Sequence, residues 1–202
     1  MKREGLTIII SAPSGAGKTS LCRELLKTFP DLRESVSFTT RKPRPGDVDG
    51  EDYYFVSEAE FRRMLAEEAF AEWALVHGNM YGTALTTLEV ARKKGVDLML
   101  DIDCQGALKL KEQFDGGIYI FILPPSMVEL RRRLENRSSD PQDVIERRIS
   151  RAVDEIKEAR WYDYIIINDD FELACRELSA IIITHRRKTF RMMEQVGKMF
   201  DI

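Results

Sequence analysis

Leu6-Thr-Ile-Ile-Ile-Ser-Ala-Pro-Ser-Gly-Ala-Gly-Lys-Thr-Ser20 is the stretch that decides the fold. Leu6 to Ile10 is a short apolar and β-branched run, the pattern of a buried strand. Leu21 to Thr28 is compatible with a helix that stops before Pro30. The residues between form a strand, loop and helix of the kind that cradles phosphate. Gly15 and Gly17 let the backbone turn with its N–H groups inward, and the new helix begins with its positive dipole end facing the same space. Ser14, Gly15, Ala16, Gly17, Lys18, Thr19 and Ser20 are thereby expected to line the phosphates of a nucleoside triphosphate. Lys18 would reach the β- and γ-phosphates, and the Thr19 hydroxyl would ligate the Mg²⁺ that bridges them. The pattern G-x-x-x-x-G-K-[ST] has Ala12 where its first glycine should stand.

Outward from the loop, further strand-like runs occur at Val96 to Ile102, Ile118 to Leu123 and Tyr164 to Ile167, with helix-like segments between them. That order predicts an α/β parallel sheet flanked by helices. The last such segment places Phe171, Ala174, Cys175, Leu178, Ile181 and Ile182 at a 3.6-residue period, a stripe for packing on the sheet. The His185-Arg-Arg-Lys188 run beyond it reads as a solvated helix face. Residues 11 to 95 exceed what one crossover needs, and Val36 to Val56 alternates aromatic and β-branched residues, so an inserted subregion is expected there.

The composition excludes several classes. The 202 residues, 44% of them hydrophobic, suit a single domain, and 31 basic against 34 acidic residues give a net charge of -3, with no global basic field to hold nucleic acid. Cys22, Cys104 and Cys175 form no C-x-x-C pair, and His77 and His185 are the only histidines, which argues against a zinc site or a disulfide framework. The apolar runs are strand-sized, and the beginning of the chain lacks the apolar stretch of a signal peptide. The expectation is a cytoplasmic protein without a membrane partner.

Three further motifs narrow the chemistry. In Ser37-Phe-Thr-Thr-Arg-Lys-Pro-Arg-Pro-Gly-Asp47, two prolines stiffen the backbone around Arg41 and Arg44, and two preset guanidinium forks suit a second phosphate. Gly50-Glu-Asp-Tyr-Tyr-Phe-Val56, Phe70-Ala-Glu-Trp-Ala74 and Gly78-Asn-Met-Tyr-Gly-Thr83 follow. Val96-Asp-Leu-Met-Leu-Asp-Ile-Asp103 ends an apolar strand in two acids, at the edge where α/β sheets bind ligands. Acids there beside a phosphate loop suggest magnesium at Asp101, with capping of the helix from Cys104 as the alternative.

With these ordered motifs the chain resembles the guanylate kinase family, from the phosphate loop through Tyr164-Ile-Ile-Ile-Asn-Asp169. The resemblance implies a P-loop NTPase-type sheet, a mixed β/α GMP-binding insertion at 34–95 within a core of 1–33 and 96–202, and a helical lid at about 131–151. It also implies that Arg41, Arg44, Tyr53 and Tyr81 hold the GMP phosphate and that Ser37, Glu72, Thr83 and Asp103 line the guanine. Guanine presents N1–H and N2–H₂ as adjacent donors, which a carboxylate such as Glu72 accepts together, whereas adenine has an acceptor at N1.

Arg131 to Arg151 carries seven arginines, four acids and no lysine around the turn signal Asn136-Arg-Ser-Ser-Asp-Pro141. By resemblance these arginines fold over the nucleotides. Arg137 and Arg148, with Lys18 and Arg44, are expected to stabilise the transferring phosphoryl group, and Arg133 and Asn168 to contact ATP. The activity implied is transfer of the γ-phosphoryl group of ATP to GMP, and also to dGMP. Another kinase of the same fold, acting on a different phosphate monoester or a sugar bisphosphate, and a non-catalytic guanylate-kinase-like binding module are the alternatives. Monomer and homo-oligomer both remain open.

Overall fold

A computed structural model of the chain describes residues 4–76, 78–114, 116–137 and 141–201, with every side chain among them except those of Val76 and Arg137. Numbered in chain order, the strands β1 (Thr7–Ser11), β2 (Leu32–Glu34), β7 (Asp97–Asp101), β8 (Gly117–Leu123) and β9 (Tyr164–Ile167) form one sheet. They pair in the order β2-β7-β1-β8-β9, and every pairing is parallel. Alternation along β1 divides the core, because successive side chains point to opposite faces. Ile8 and Ile10 join the buried residues of helices α1 (Lys18–Thr28) and α7 (Phe171–Arg186), whereas Ile9 joins those of α3 (Leu85–Lys94) and α4 (Cys104–Gln113).

The excess chain between β1 and β7 builds a second, four-stranded mixed sheet. Its strands β3 (Phe38–Thr39), β4 (Tyr54–Phe55), β5 (Phe70–Val76) and β6 (Asn79–Ala84) run in the order β4-β3-β6-β5. Helix α2 (Glu58–Ala66) closes it with a separate core of Phe61, Phe70 and Met80, in which the Phe61 and Phe70 rings stack at 4.4 Å. Ser57 caps this helix by accepting from the Glu60 N–H. The arginine-rich segment folds as the helices α5 (Met127–Arg137) and α6 (Gln142–Lys157), which share Leu130, Leu134, Ile145 and Ala152. A last helix, α8 (Thr189–Phe200), follows α7.

Four of the five core strands fall where the apolar runs predict them. The fifth, β2, has one buried residue, Leu32, and carries no periodic signal. On α7 the predicted stripe packs through Ala174, Leu178 and Ile182, while Phe171 at the helix start is exposed.

The reading of His185 to Lys188 as a solvated face holds for Arg187 and Lys188, which are exposed, and is corrected for His185 and Arg186. Arg186 donates from Nε to Asp97 Oδ2 at 2.8 Å, and its Nη2 forms an ion pair with the same oxygen at 2.7 Å. Asp97 is only 1% exposed, and its Oδ1 accepts from the Leu6 N–H at 2.7 Å. His185 Nε2 lies 3.0 Å from the Tyr164 hydroxyl. Arg186 carries its charge inward because a buried carboxylate at the start of β7 requires a cation.

Replacing Arg186 with Met is expected to lower stability by about 3 kcal/mol, the order of loss when a buried ion pair is broken from one side. Asp31→Ala, which removes only the exposed outer partner of Arg186, should change stability by less than ~1 kcal/mol. Urea denaturation of both variants measures the contrast.

Candidate active site

The loop leaves β1 at its buried C-terminal end and enters α1 through two left-handed glycines, Gly15 at φ 96° and Gly17 at φ 98°. Ala12 does not adopt positive φ, so the missing first glycine imposes no strain. The Ala16 carbonyl is held from two sides. Asn168, 6% exposed, donates its amide to it at 2.7 Å, and Arg133 donates at 3.4 Å. Arg133 also donates to the Asn168 carbonyl at 2.9 Å and to Glu129 at 2.8 Å. The two residues expected at the ATP therefore brace the loop backbone, at the point where β9 ends and α5 passes over. Leu130 and Leu134 press on Gly15, where a Cβ would stand 2.9 to 3.0 Å from their methyl groups.

Lys18 Nζ donates to the Ile102 carbonyl at 3.0 Å and meets Asp101 Oδ1 at 2.5 Å. This contact joins the loop to the end of β7. Thr19 and Ser20 are exposed at the start of α1. From the lid, Arg148 donates to Ser14 Oγ at 2.7 Å. Arg137 closes α5, and its side chain lies outside the described residues.

The opposite wall comes from the inserted sheet. The pairing of β5 with β6 shifts register between Phe70 and Glu72, a bulge at Ala71. Phe70, Ala71 and Glu72 are all buried, and alternation resumes with exposed Trp73. The bulge thus aims Glu72 inward against strict alternation. Glu72, 7% exposed, stands opposite Thr83, which hydrogen-bonds its carboxylate. Thr83 Oγ1 in turn lies 3.4 Å from Ser37 Oγ. Asp103 caps α4 by accepting from the Gly106 N–H at 2.8 Å, so the capping alternative describes its backbone contact. Its carboxylate also neighbours Glu72. A Cβ on Gly106 would sit 2.9 Å from Glu72 Oε2 and 3.5 Å from Asp103 Oδ1. Burial, then hydrogen bonding from Thr83 in the opposite sense, then the charge of Asp103 leave the Glu72 carboxyl above its ordinary range. Ser37, Glu72, Thr83 and Asp103 are thereby brought into one polar chain.

Arg41, Tyr53 and Tyr81 also converge. The Arg41 guanidinium lies 5.2 Å from the centroid of the Tyr53 ring, and the Tyr53 and Tyr81 rings meet edge to face at 5.8 Å. Asp47 orients this corner, pairing with Arg41 at 2.9 Å and accepting from the Arg44 N–H at 2.7 Å. Those bonds hold its carboxyl below the ordinary range. Arg44 itself is exposed.

Between the walls runs a cleft of about 370 Å³ lined by Ser37, Tyr53 and Thr83 on one side and Leu100, Asp101 and Ile102 on the other. Arg23 and Glu34 also line it. Burial and the neighbouring Asp101 raise the Glu34 carboxyl. Sequence reasoning missed Arg23, Glu34 and Asp47. Asp47 had a signal, because it ends the Pro-Gly-Asp turn that follows Arg41 and Arg44.

Comparison with known proteins follows this geometry. The family described as guanylate kinase matches residues 4–185. A curated guanylate kinase from Geobacter metallireducens is 61% identical over 202 residues, covering 100% of both chains, and one from Geobacter sulfurreducens is 60% identical over the same extent. The crystal structure of guanylate kinase from Anaplasma phagocytophilum is 36% identical, with a TM-score of 0.72, covering 100% of this chain and 98% of that one.

Gly17→Ala tests the loop. The new Cβ would lie 2.3 Å from Asn168 Nδ2 at a φ that L-residues rarely adopt, so it should displace the Asn168 brace and cost about 1 to 3 kcal/mol. Adding Asn168→Gly should restore little, because the backbone strain persists. Thermal melting of the single and double variants separates the two effects.

Proposed function

The chain belongs to the guanylate kinase family, and from that premise we propose that its cleft transfers the γ-phosphoryl group of ATP to the phosphate of GMP, giving ADP and GDP. The observation that carries this reading is the polar chain Ser37, Thr83, Glu72 and Asp103 beside a cleft whose other side is Asp101 and Ile102, the two residues that hold Lys18. In this reading the chain is one domain, with its core in 1–33 and 96–202, the GMP insertion in 34–95 and the lid at about 131–151.

Glu72 accepts from guanine N1–H and N2–H₂, Asp103 supplies a second acceptor, and Ser37 and Thr83 keep Glu72 oriented. Arg41, Arg44, Tyr53 and Tyr81 hold the acceptor phosphate. Ser14 to Ser20 enclose the donor phosphates, with Arg133 and Asn168 fixing the shape of that loop from behind. A phosphate oxygen of GMP forms the new P–O bond while the β,γ-bridging bond breaks and its electron pair leaves with ADP. The attacking oxygen is already anionic, so no protein base is needed. Lys18, Arg44, Arg137 and Arg148 then act by position and charge.

Magnesium fits this donor set. Among the described residues no group of three or more His, Cys, Asp or Glu forms a metal cage, and Mg²⁺ with a nucleotide takes only one or two protein ligands beside phosphate oxygens and water. Thr19 and Asp101 would hold it, and it would supply positive charge to offset that of the donor phosphates. Lys18 would then release Asp101 and turn to the phosphates. The three thiols are free, which supports a reducing cytoplasmic setting, and among the described residues no helix is long and apolar enough to cross a membrane.

Coupled ADP release with GMP, AMP, UMP and CMP in parallel tests the assignment; equal rates with AMP and GMP would overturn it. Lys18→Met is expected to lower kcat by at least ~10³-fold, comparable to other cationic stabilisers of phosphoryl transfer, with the fold intact by circular dichroism.

Glu72→Gln keeps size but offers one acceptor oxygen without charge. Losing a charged hydrogen bond of roughly 1.5 to 3 kcal/mol should reduce kcat/KM for GMP by about ten- to a hundred-and-fifty-fold, with ATP affinity nearly unchanged. GMP requires the ionised carboxylate, whose affinity for protons is raised here. In the parent enzyme kcat/KM for GMP should therefore climb as pH rises through that elevated range and level off above it. The glutamine variant should lack this limb in a pH profile.

A further inference from the structure

β5 ends the order β4-β3-β6-β5, so one of its edges faces away from the inserted sheet. Backbone groups on such an edge need partners from elsewhere. Helix α4 of the core supplies them. Lys109 donates from Nζ to the Trp73 carbonyl at 3.0 Å, and its ammonium lies 4.9 Å from the centroid of the Trp73 ring. Gln113 donates to the Phe70 carbonyl at 3.1 Å and to the Ala71 carbonyl at 3.3 Å, in the amide orientation that gives both its polar atoms suitable partners.

These three carbonyls flank one side chain. Phe70 and Ala71 belong to the bulge, alternation resumes at Trp73, and Glu72 lies between. A bulge interrupts the ladder of hydrogen bonds to its partner strand, so the peptide planes that aim the side chain there need other restraints. Gly106, Lys109 and Gln113 are three and four residues apart, which puts them on one face of α4. Gly106 leaves the space that the carboxylate enters, since a Cβ there would stand 2.9 Å from Glu72 Oε2. The helix that admits Glu72 therefore also grips the backbone before and after it. The Lys109 charge acts on the same carboxyl, favouring its ionised form against burial and Asp103.

We propose that Lys109 and Gln113 are positioning residues for base selection, which hold the bulged edge of β5 on both sides of Glu72 so that its two oxygens face two neighbouring donors of the acceptor base at once. Neither residue touches the nucleotide; each acts through Glu72. The proposal rests on the reading of Glu72 as the acceptor for guanine N1–H and N2–H₂.

Inosine monophosphate keeps N1–H and lacks the 2-amino group, so the ratio of kcat/KM for GMP to that for IMP reads whether Glu72 faces both donors. Methionine at position 109 or 113 keeps a long side chain and good helix propensity but donates nothing. Lys109→Met and Gln113→Met should each lower the ratio by about threefold or more, the scale of one weakened hydrogen bond, with KM for ATP within about twofold of the parent value. Lys109→Arg, which can still donate to the Trp73 carbonyl, should restore most of the ratio. Lys111→Met removes a donor of the same helix to the Trp161 carbonyl and should leave the ratio unchanged. Residues that merely supported the fold would instead lower the melting temperature and depress both acceptors in equal proportion. An unchanged ratio in both methionine variants at a native melting temperature overturns the proposal, as does an equal fall in Lys111→Met; if one of the two fails to fold, the other decides. A parent ratio that Glu72→Gln leaves unaltered would overturn the reading of Glu72 itself.

Discussion

The Ala16 carbonyl is the point on which the site depends. A phosphate loop works through backbone N–H groups, and these keep their direction only if the peptide planes between Gly15 and Gly17 cannot rotate. Both glycines sit at positive φ, where the chain has freedom of its own, so the constraint comes from outside the loop. Asn168 at the end of β9 and Arg133 on α5 supply it through one shared acceptor. Removing the Cβ at position 17 is what lets Asn168 approach so closely. The parallel sheet places β1 next to β8 and β8 next to β9, which brings the residue after β9 behind the loop after β1. Sheet order, glycine position and brace are one requirement.

Electrostatics in this molecule are local. The net charge of -3 does not attract anionic nucleotides, and carboxylates are numerous in the cleft itself. Cations meet them in specific pairs: Lys18 with Asp101, Arg41 with Asp47, Arg133 with Glu129. Each pair fixes the direction of a long flexible side chain, and in the proposed reading Lys18 and Arg41 therefore lose less freedom when a phosphate replaces the carboxylate. The pairs are also partly exposed, so their own contribution to stability is small. Their value lies in orientation.

The loop and its flanking strand and helix were readable because a dense local pattern specifies them: a β-branched run, then two glycines and a lysine at set spacing. The same holds for β7 and β8, whose apolar runs signal burial on both faces, and for β9, whose run marks the strand although Ile165 and Ile167 are exposed at the sheet edge. The two-residue strands β3 and β4 and the edge strand β2 were not readable, since each exists only through pairing with a distant partner. The polar cluster at Ser37, Glu72, Thr83 and Asp103 was expected from family resemblance, and the structure brings these four together. How Glu72 turns inward was not visible, because the bulge at Ala71 arises from a register shift against β6. The bracing of the loop by Arg133 and Asn168 joins residues 117 and 152 apart in sequence. No local pattern carries such information. The inward role of Arg186 was missed for the opposite reason: a basic run after an amphipathic helix resembles a solvated end unless the buried Asp97 is known to lie beneath it.

The two sides of the cleft are built on different principles, and this explains the insertion. Donor phosphates are identical in every nucleoside triphosphate, so backbone N–H groups on a braced loop suffice for them, and the loop needs only sheet and helix behind it. The acceptor must be distinguished by its base, which requires acceptors aimed at N1–H and N2–H₂ and therefore side chains on strands of exact register. A separate sheet with its own Phe61, Phe70 and Met80 core can hold those side chains without disturbing the loop. The bulge at Ala71 and the cap at Asp103 then belong to different bodies, one on the insertion and one on the core sheet, and the carboxylates they carry meet over Gly106. In the proposed reading, base recognition is accordingly sensitive to how closely the insertion sits against α4, since any separation of the two would part Glu72 from Asp103 before it affected either element alone.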